Sequence, residues 1–311
     1  FLWVAERLGD LVWGAPGLII FFGVVIGTVL EKSGGAMVIA VKMIKVIGEK
    51  SIHLAMLLTG YLVSIPVFAD SAFIMLNSLN KALSDQAKTS YAGTSVALGL
   101  GLFATHVMVP PTPGPIAAAG ILKADLGNVI LWGIIVSSIS LVPSYFFATK
   151  MASKTKIPIV LEAVKERDYR PKLWVSLLSI LVPIVLIILK SVFEYPGTRL
   201  ATNIFYTAIS FLGTPVIALL IGVGLSLLLP KKLDEKVYAA SGWFGDAVKS
   251  AAPILLITGA GGIFGNMLQS SGIAELITEN FSDLSIGIFL PFLLAACLKT
   301  TQGSSTVALH N

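Results

Sequence analysis

A single cysteine, Cys297, and three histidines stand in 311 residues. One thiol excludes an intrachain disulfide, and these four groups show no metal-ligand spacing. Charge is scarce too: 13% of residues are Asp, Glu, Lys or Arg, against roughly 25% in a soluble domain. In their place stand hydrophobic residues, 55% of the chain, with a mean hydropathy of +0.88. That imbalance predicts an all-α polytopic membrane protein. The formal net charge of +5 sits between apolar runs, so it reads as a topology signal and not as a nucleic-acid footprint. The chain opens at Phe1 without a signal-peptide pattern and stops at "STVALHN" as an apolar segment begins. It is read as a fragment of a longer carrier, truncated at both ends.

The apolar runs order the chain. Residues 11–30 are uncharged and long enough to span, which takes about 20 residues. Residues 33–50 carry Lys42, Lys45 and Lys50 and read as an interfacial helix. Residues 52–83 are apolar but interrupted by "SIPVFADS". Arms of about a dozen residues at 1.5 Å each are too short to cross, which predicts a re-entrant hairpin with its tip near Pro66 and Asp70. Residues 89–122 form a broken segment, and 126–149, 173–189 and 200–230 are predicted spans. "GWFGDAVKSAAP" reads as interfacial, 251–272 as a span, and 284–309, interrupted by "KTTQGSST", as a second hairpin. The basic stretches 150–172 and 231–236 lie two spans apart, so the positive-inside rule makes both cytoplasmic and the 194–199 turn external.

The broken segment contains "HVMVPPTPGPIAAAG", with prolines at 110, 111, 113 and 115. Proline removes a helix donor and clashes with the preceding turn. Unpaired peptide groups at membrane depth are tolerated only when buried in protein or lining a cavity. A helix broken there offers amides at one half-helix N-terminus, which carries roughly half a positive charge and favours anions. Thr112 adds a hydroxyl, and Gly114 admits close backbone approach. The bland alternative is a kinked structural helix.

"APGLIIFFGVVIGTVLEKSGGA" at 15–36 resembles "APILLITGAGGIFGNMLQSSGIA" at 252–274, and each is followed by an apolar segment broken by small polar residues. This predicts two inverted repeats, a common carrier plan with binding at midplane. The expected division is a first repeat over 1–150, a basic loop with connecting helices over 151–240, and a partial second repeat over 241–311. The counterpart of "VPPTPGP" then lies beyond Asn311.

The segments "HVMVPPTPGPIAAAGILKADLG", "PVFADSAFIML" and "KTTQGSSTVAL" resemble the gluconate permease family of the ion transporter superfamily, in the same order along the chain. The resemblance implies a proton-coupled importer of gluconate or a related sugar acid or hydroxy acid in the bacterial inner membrane. It implies no enzyme activity and no cofactor. It also implies a homodimer working by an elevator-like motion, with hairpin tips and broken helices around the substrate.

The candidate substrate-binding residues are Thr112 and Gly114 at the first broken helix, and Gln302, Gly303, Ser304, Ser305 and Thr306 at the second tip. Small residues also serve close helix packing, so a packing role is the alternative for the second tip. Asp70 and His106 are candidates for proton coupling. A buried intramembrane carboxylate is costly and therefore a functional candidate, while histidine titrates near neutrality. Structural pairing is the alternative for both. Lys299 either meets a substrate carboxylate or snorkels to the interface. Asn266 and Gln269 are ambiguous, and Glu31 and Lys32 read as facing the interface. A cation/proton antiporter would prefer several intramembrane acids, and an aspartyl protease needs a carboxylate pair. Asp70 is nearly alone, so the carrier reading is preferred.

Overall fold

The computed structural model describes residues 15–48, 51–159, 171–194 and 204–271, with three further helical positions at Phe289, Phe292 and Ala296. The described residues are helical, with no strand among them. The helices are α1 (Ala15–Ser33), α2 (Gly35–Ile47), α3 (Ile52–Val63), α4 (Ala69–Gln86), α5 (Tyr91–Met108), α6 (Pro113–Ile121) and α7 (Leu126–Phe146). Then come α8 (Leu173–Phe193), α9 (Ile204–Leu212), α10 (Pro215–Ser226), α11 (Glu235–Tyr238) and α12 (Trp243–Ser270). A π turn at Phe147–Met151 and a 3-10 turn at Ala152–Lys154 close α7. Among the described residues four helices are long and apolar enough to cross a membrane, or five if α9 and α10 count as one bent span.

Both predicted interruptions are real breaks. α3 ends before Ser64–Phe68, which contains Pro66, and α5 ends before Val109–Thr112, where the Pro110–Pro111 bond is cis. Pro113 restarts the chain at the first position of α6, where a missing amide hydrogen costs nothing. Side-chain caps fix other starts: Ser90 Oγ accepts from the Gly93 amide at 3.3 Å, and Asp125 Oδ1 from the Asn128 amide at 2.8 Å.

Contacts give the directions. Going along α3, His53 lies by Gly93, Leu57 by Gly101, and Tyr61 by Thr105, so α3 and α5 run parallel. Going along α4, Phe73 lies by Gly99, Asn80 bonds Ser95, and Ser84 bonds Thr94, so α4 runs against α5. α3 and α4 are therefore the antiparallel arms of a hairpin whose tip reaches the α5/α6 break. α12 begins where α1 ends, with Lys32 Nζ 3.1 Å from Asp246 Oδ2, and packs back along α1 to touch α6. The two helices thus run in opposite directions.

One expectation needs correction, and two segments take a shape that the sequence did not show. The second hairpin arm, α4, has 18 residues and not about a dozen. It continues past the apolar run because Asn77, Asn80 and Ser84 find partners on α5. The described part of 200–230 is a bent pair of helices: α9 and α10 meet at 73°, because Pro215 has no amide hydrogen to continue the ladder. "GWFGDAVKSAAP" is continuous, from Trp243 on, with the segment that follows. It belongs to the 28-residue α12, which passes through Pro253, as membrane helices allow. The second hairpin (284–309) and the 195–199 part of the predicted external turn lie outside the described residues.

Candidate binding site at two helix breaks

α1 carries Gly23 and Gly27 one turn apart, and each receives one of the breaks. A Cβ on Gly27 would stand 2.0 Å from the Pro66 carbonyl oxygen; one on Gly23 would stand 3.1 Å from the Cβ and the carbonyl oxygen of Pro111. Only a residue without a side chain lets the backbone approach this closely. On the other side of the break, Gly133 of α7 receives the Met108 carbonyl. Hairpin tip and broken helix are thus seated together between α1 and α7.

Polar groups hold the pair in register. The Thr105 hydroxyl donates to the Tyr61 carbonyl at 2.8 Å. The Tyr61 hydroxyl donates to the Ile134 carbonyl at 3.2 Å and lies 3.0 and 2.9 Å from the Ser137 and Ser138 hydroxyls. Ser64 Oγ donates to the Val67 carbonyl at 3.3 Å and closes the tip. Each satisfied buried bond contributes about 1 kcal/mol, and each orphaned group costs more than that.

The two proton-coupling candidates, distant in sequence, come together here. The Phe68 ring meets the His106 ring edge-on with centroids 5.9 Å apart, and Asp70 lies within direct electrostatic reach of His106. His106 Nδ1 is buried and has no hydrogen-bond partner among the described residues. Asp70 itself is exposed, not buried as its apolar setting suggested. It sits in the first turn of α4. Position near a helix N-terminus stabilises a carboxylate there.

Thr112 is the N-cap of α6 and 5% exposed. Its hydroxyl donates to the Val109 carbonyl at 2.7 Å and does not cap the helix. The predicted row of amides shrinks to one. Pro113 and Pro115 have none, and the Ile116 amide bonds the Thr112 carbonyl at 3.4 Å. That leaves the buried Gly114 amide as the donor of this turn without a helical acceptor.

Gln302, Gly303, Ser304, Ser305, Thr306 and Lys299 lie outside the described residues. Asn266 and Gln269 fall in the last turns of α12, with side chains outside the description. Sequence reasoning missed Gly23, Gly27 and Tyr61. A signal for the first two was present: "GVVIG" has the small-xxx-small spacing of close membrane packing. No group of three metal-ligating side chains occurs among the described residues.

Comparison with known proteins gives the family. The family model described as GntP family permease matches residues 5–311. An uncharacterized permease of Haemophilus influenzae is 39% identical over 317 residues, covering 95% of this chain and 64% of the relative. The inner membrane permease YgbN of Escherichia coli is 31% identical over 320 residues, with 96% and 69% covered. A gluconate permease of Zymomonas mobilis is 30% identical over 309 residues, with 95% and 67% covered. The chain spans about two thirds of the length of these relatives. With the family match running along nearly all of it, this polytopic membrane chain belongs to the GntP permease family.

Proposed function

We propose that the full-length protein imports gluconate or a related sugar acid or hydroxy acid with protons across the bacterial inner membrane. The observation that carries this is the seating of two helix breaks against α1, with Phe68 of the hairpin tip against His106 and Asp70 in electrostatic reach of it. The family is one of permeases and not of enzymes, and one named relative is a gluconate permease. In this reading the Gly114 amide and the Thr112 hydroxyl meet the substrate from the first half. Gln302, Gly303, Ser304, Ser305 and Thr306 meet it from the second, and Asp70 with His106 carries the proton. The opposite runs of α1 and α12 support two inverted repeats, 1–150 and 241–311, joined by 151–240. A homodimer with an elevator-like motion completes the proposal.

Uptake of labelled gluconate into vesicles holding the full-length protein tests it. Accumulation should appear when the outside is made acidic and vanish when the gradient is collapsed. Uptake of no sugar acid under either condition would overturn it. A variant refines the test. Gly114→Val blocks approach to the one remaining amide, and a lost hydrogen bond to a charged group costs about 1.5–3 kcal/mol. KM should therefore rise roughly tenfold or more while insertion into the membrane is kept. An unchanged KM would remove Gly114 from the site.

Orientation has its own check. Lys150, Lys154, Lys156 and Lys172 gather where α7 ends and α8 begins, which the positive-inside rule assigns to the cytoplasm. A cysteine at Thr155 should resist an impermeant thiol reagent in intact cells, and one at Lys123, at the other end of α7, should react. The reverse pattern inverts the topology.

A further inference from the structure

α4 is an unusual helix to find at membrane depth. Nine of its 18 residues are polar, yet it lies beside α3 and α5 and reaches from the hairpin tip to the end that carries the lysines. Three of the nine tie it to α5: Tyr91 Oη donates to Asn77 Oδ1 at 2.5 Å, Asn80 Nδ2 donates to Ser95 Oγ at 3.0 Å, and the Ser84 and Thr94 hydroxyls are 2.6 Å apart. Ala72, Leu76, Asn80 and Ser84 form the buried face.

The remaining polar residues fall elsewhere on the helix. At about 100° per residue, Asp70, Ser71, Ile74, Ser78, Lys81 and Asp85 occupy one arc of roughly 100°. Asp70 and Asp85 are exposed, Ile74 is 76% exposed, and Ser71, Ser78 and Lys81 are half-buried. The stripe therefore runs unbroken from the tip to the cytoplasmic end, with a single apolar side chain along it. Hydrocarbon is excluded as its neighbour, since a charged side chain at bilayer depth costs at least about 2.5–3.5 kcal/mol. A tightly packed helix seam would place small residues there, for close backbone approach. Two carboxylates, a lysine and two hydroxyls are instead the lining of water.

We propose that this face of α4 lines an aqueous passage between the hairpin tip and the cytoplasm, and that the organic anion and the proton leave along it. The last clause rests on the proposed import function; the passage itself does not. Asp70 stands at its upper end beside His106, Asp85 at its lower end, and Ile74 is the apolar narrowing between them.

Cysteine accessibility in the full-length protein tests this, with Cys297 and any other native cysteine replaced by serine. Ser78→Cys and Ser71→Cys are treated with a membrane-impermeant thiol reagent in inside-out and right-side-out vesicles. Ala72→Cys, on the buried face, and Thr155→Cys, at the cytoplasmic end, serve as references. Ser78→Cys is expected to label from the cytoplasmic side and not from the outside, with Ser71→Cys labelling more slowly and Ala72→Cys not at all. Absence of labelling at Ser78→Cys in inside-out vesicles, while Thr155→Cys reacts, would mean that protein or lipid covers the face and would overturn the proposal. So would labelling of Ala72→Cys as fast as Ser78→Cys, because the helix would then be opening as a whole. Added gluconate should slow the reaction of Ser71→Cys. Labelling that no sugar acid slows would uphold the passage and count against the proposed substrate, so the two failures are distinguishable.

Discussion

Gly27→Ala is expected to abolish uptake, and Gly23→Ala to weaken it. The added methyl at position 27 would stand 2.0 Å from the Pro66 carbonyl oxygen and 3.0 Å from its carbonyl carbon. Both are backbone atoms of the hairpin tip, so no side chain can swing aside and the tip itself must move. At position 23 the Pro111 Cβ and carbonyl oxygen would be 3.1 Å away, and a shift of a few tenths of an ångström suffices. Overpacking of this kind costs about 1–3 kcal/mol. The larger loss is positional, because misplacing a site by about 1 Å costs on the order of 100-fold in rate. Initial rates of gluconate uptake, normalised to the protein present in the membrane, measure it. Normal rates in the Gly27→Ala variant would show that the tip does not need its seat on α1. The same experiment reaches the second half. Aligning Ser33 with Ser271 shifts the numbering by 238, which carries Gly23 to Gly261 and Gly27 to Gly265. Gly265→Ala should then fail as Gly27→Ala does. Normal uptake in that variant would contradict the equivalence of the two helices.

The features that local chemistry dictates were legible in the sequence. Pro66 and the pair Pro110–Pro111 lie in the gaps between helices and Pro113 opens the next one, so both breaks fell where expected. What the sequence did not disclose depends on neighbours. α4 was expected to run for about a dozen residues; it runs for 18 beside α5, which offers Tyr91, Thr94 and Ser95 at matching heights. Pro253 looked like a boundary and is only a missing bond inside α12. Asp70 was expected to be buried because its sequence neighbours are apolar. Apolar neighbours along a helix are spread around it, however, and which arc faces the protein is decided by the packing of α3 and α5. The prolines likewise announced a helix N-terminus with several free amides, yet two of the four first-turn positions have no amide hydrogen at all.

Asp70→Asn is expected to lose accumulation driven by a pH gradient while keeping exchange of substrate between equal pools. Burial of Asp70 cannot supply the reason, since the carboxylate is exposed. Its place supplies it. Asp70 opens α4 at the hairpin tip, in electrostatic reach of His106, whose buried Nδ1 has no partner among the described groups. A carboxylate open to water exchanges protons with it, and a neighbouring imidazole can receive or return one. The proposed substrate is an anion, so a loaded site that also holds a proton moves less net charge. Each elementary charge carried through 100 mV costs about 2.3 kcal/mol, nearly 50-fold in the accumulation ratio at equilibrium. Asparagine preserves the shape and the first-turn position but cannot titrate, so exchange survives and coupling does not. His106→Gln should weaken coupling less, because the exposed Asp70 carboxylate remains in place. If Asp70→Asn vesicles still concentrate substrate against its gradient when the outside is acidic, then Asp70 only shapes the tip. The proton path then lies elsewhere, and His106, buried beside the break with one ring nitrogen unsatisfied, is the next residue to replace.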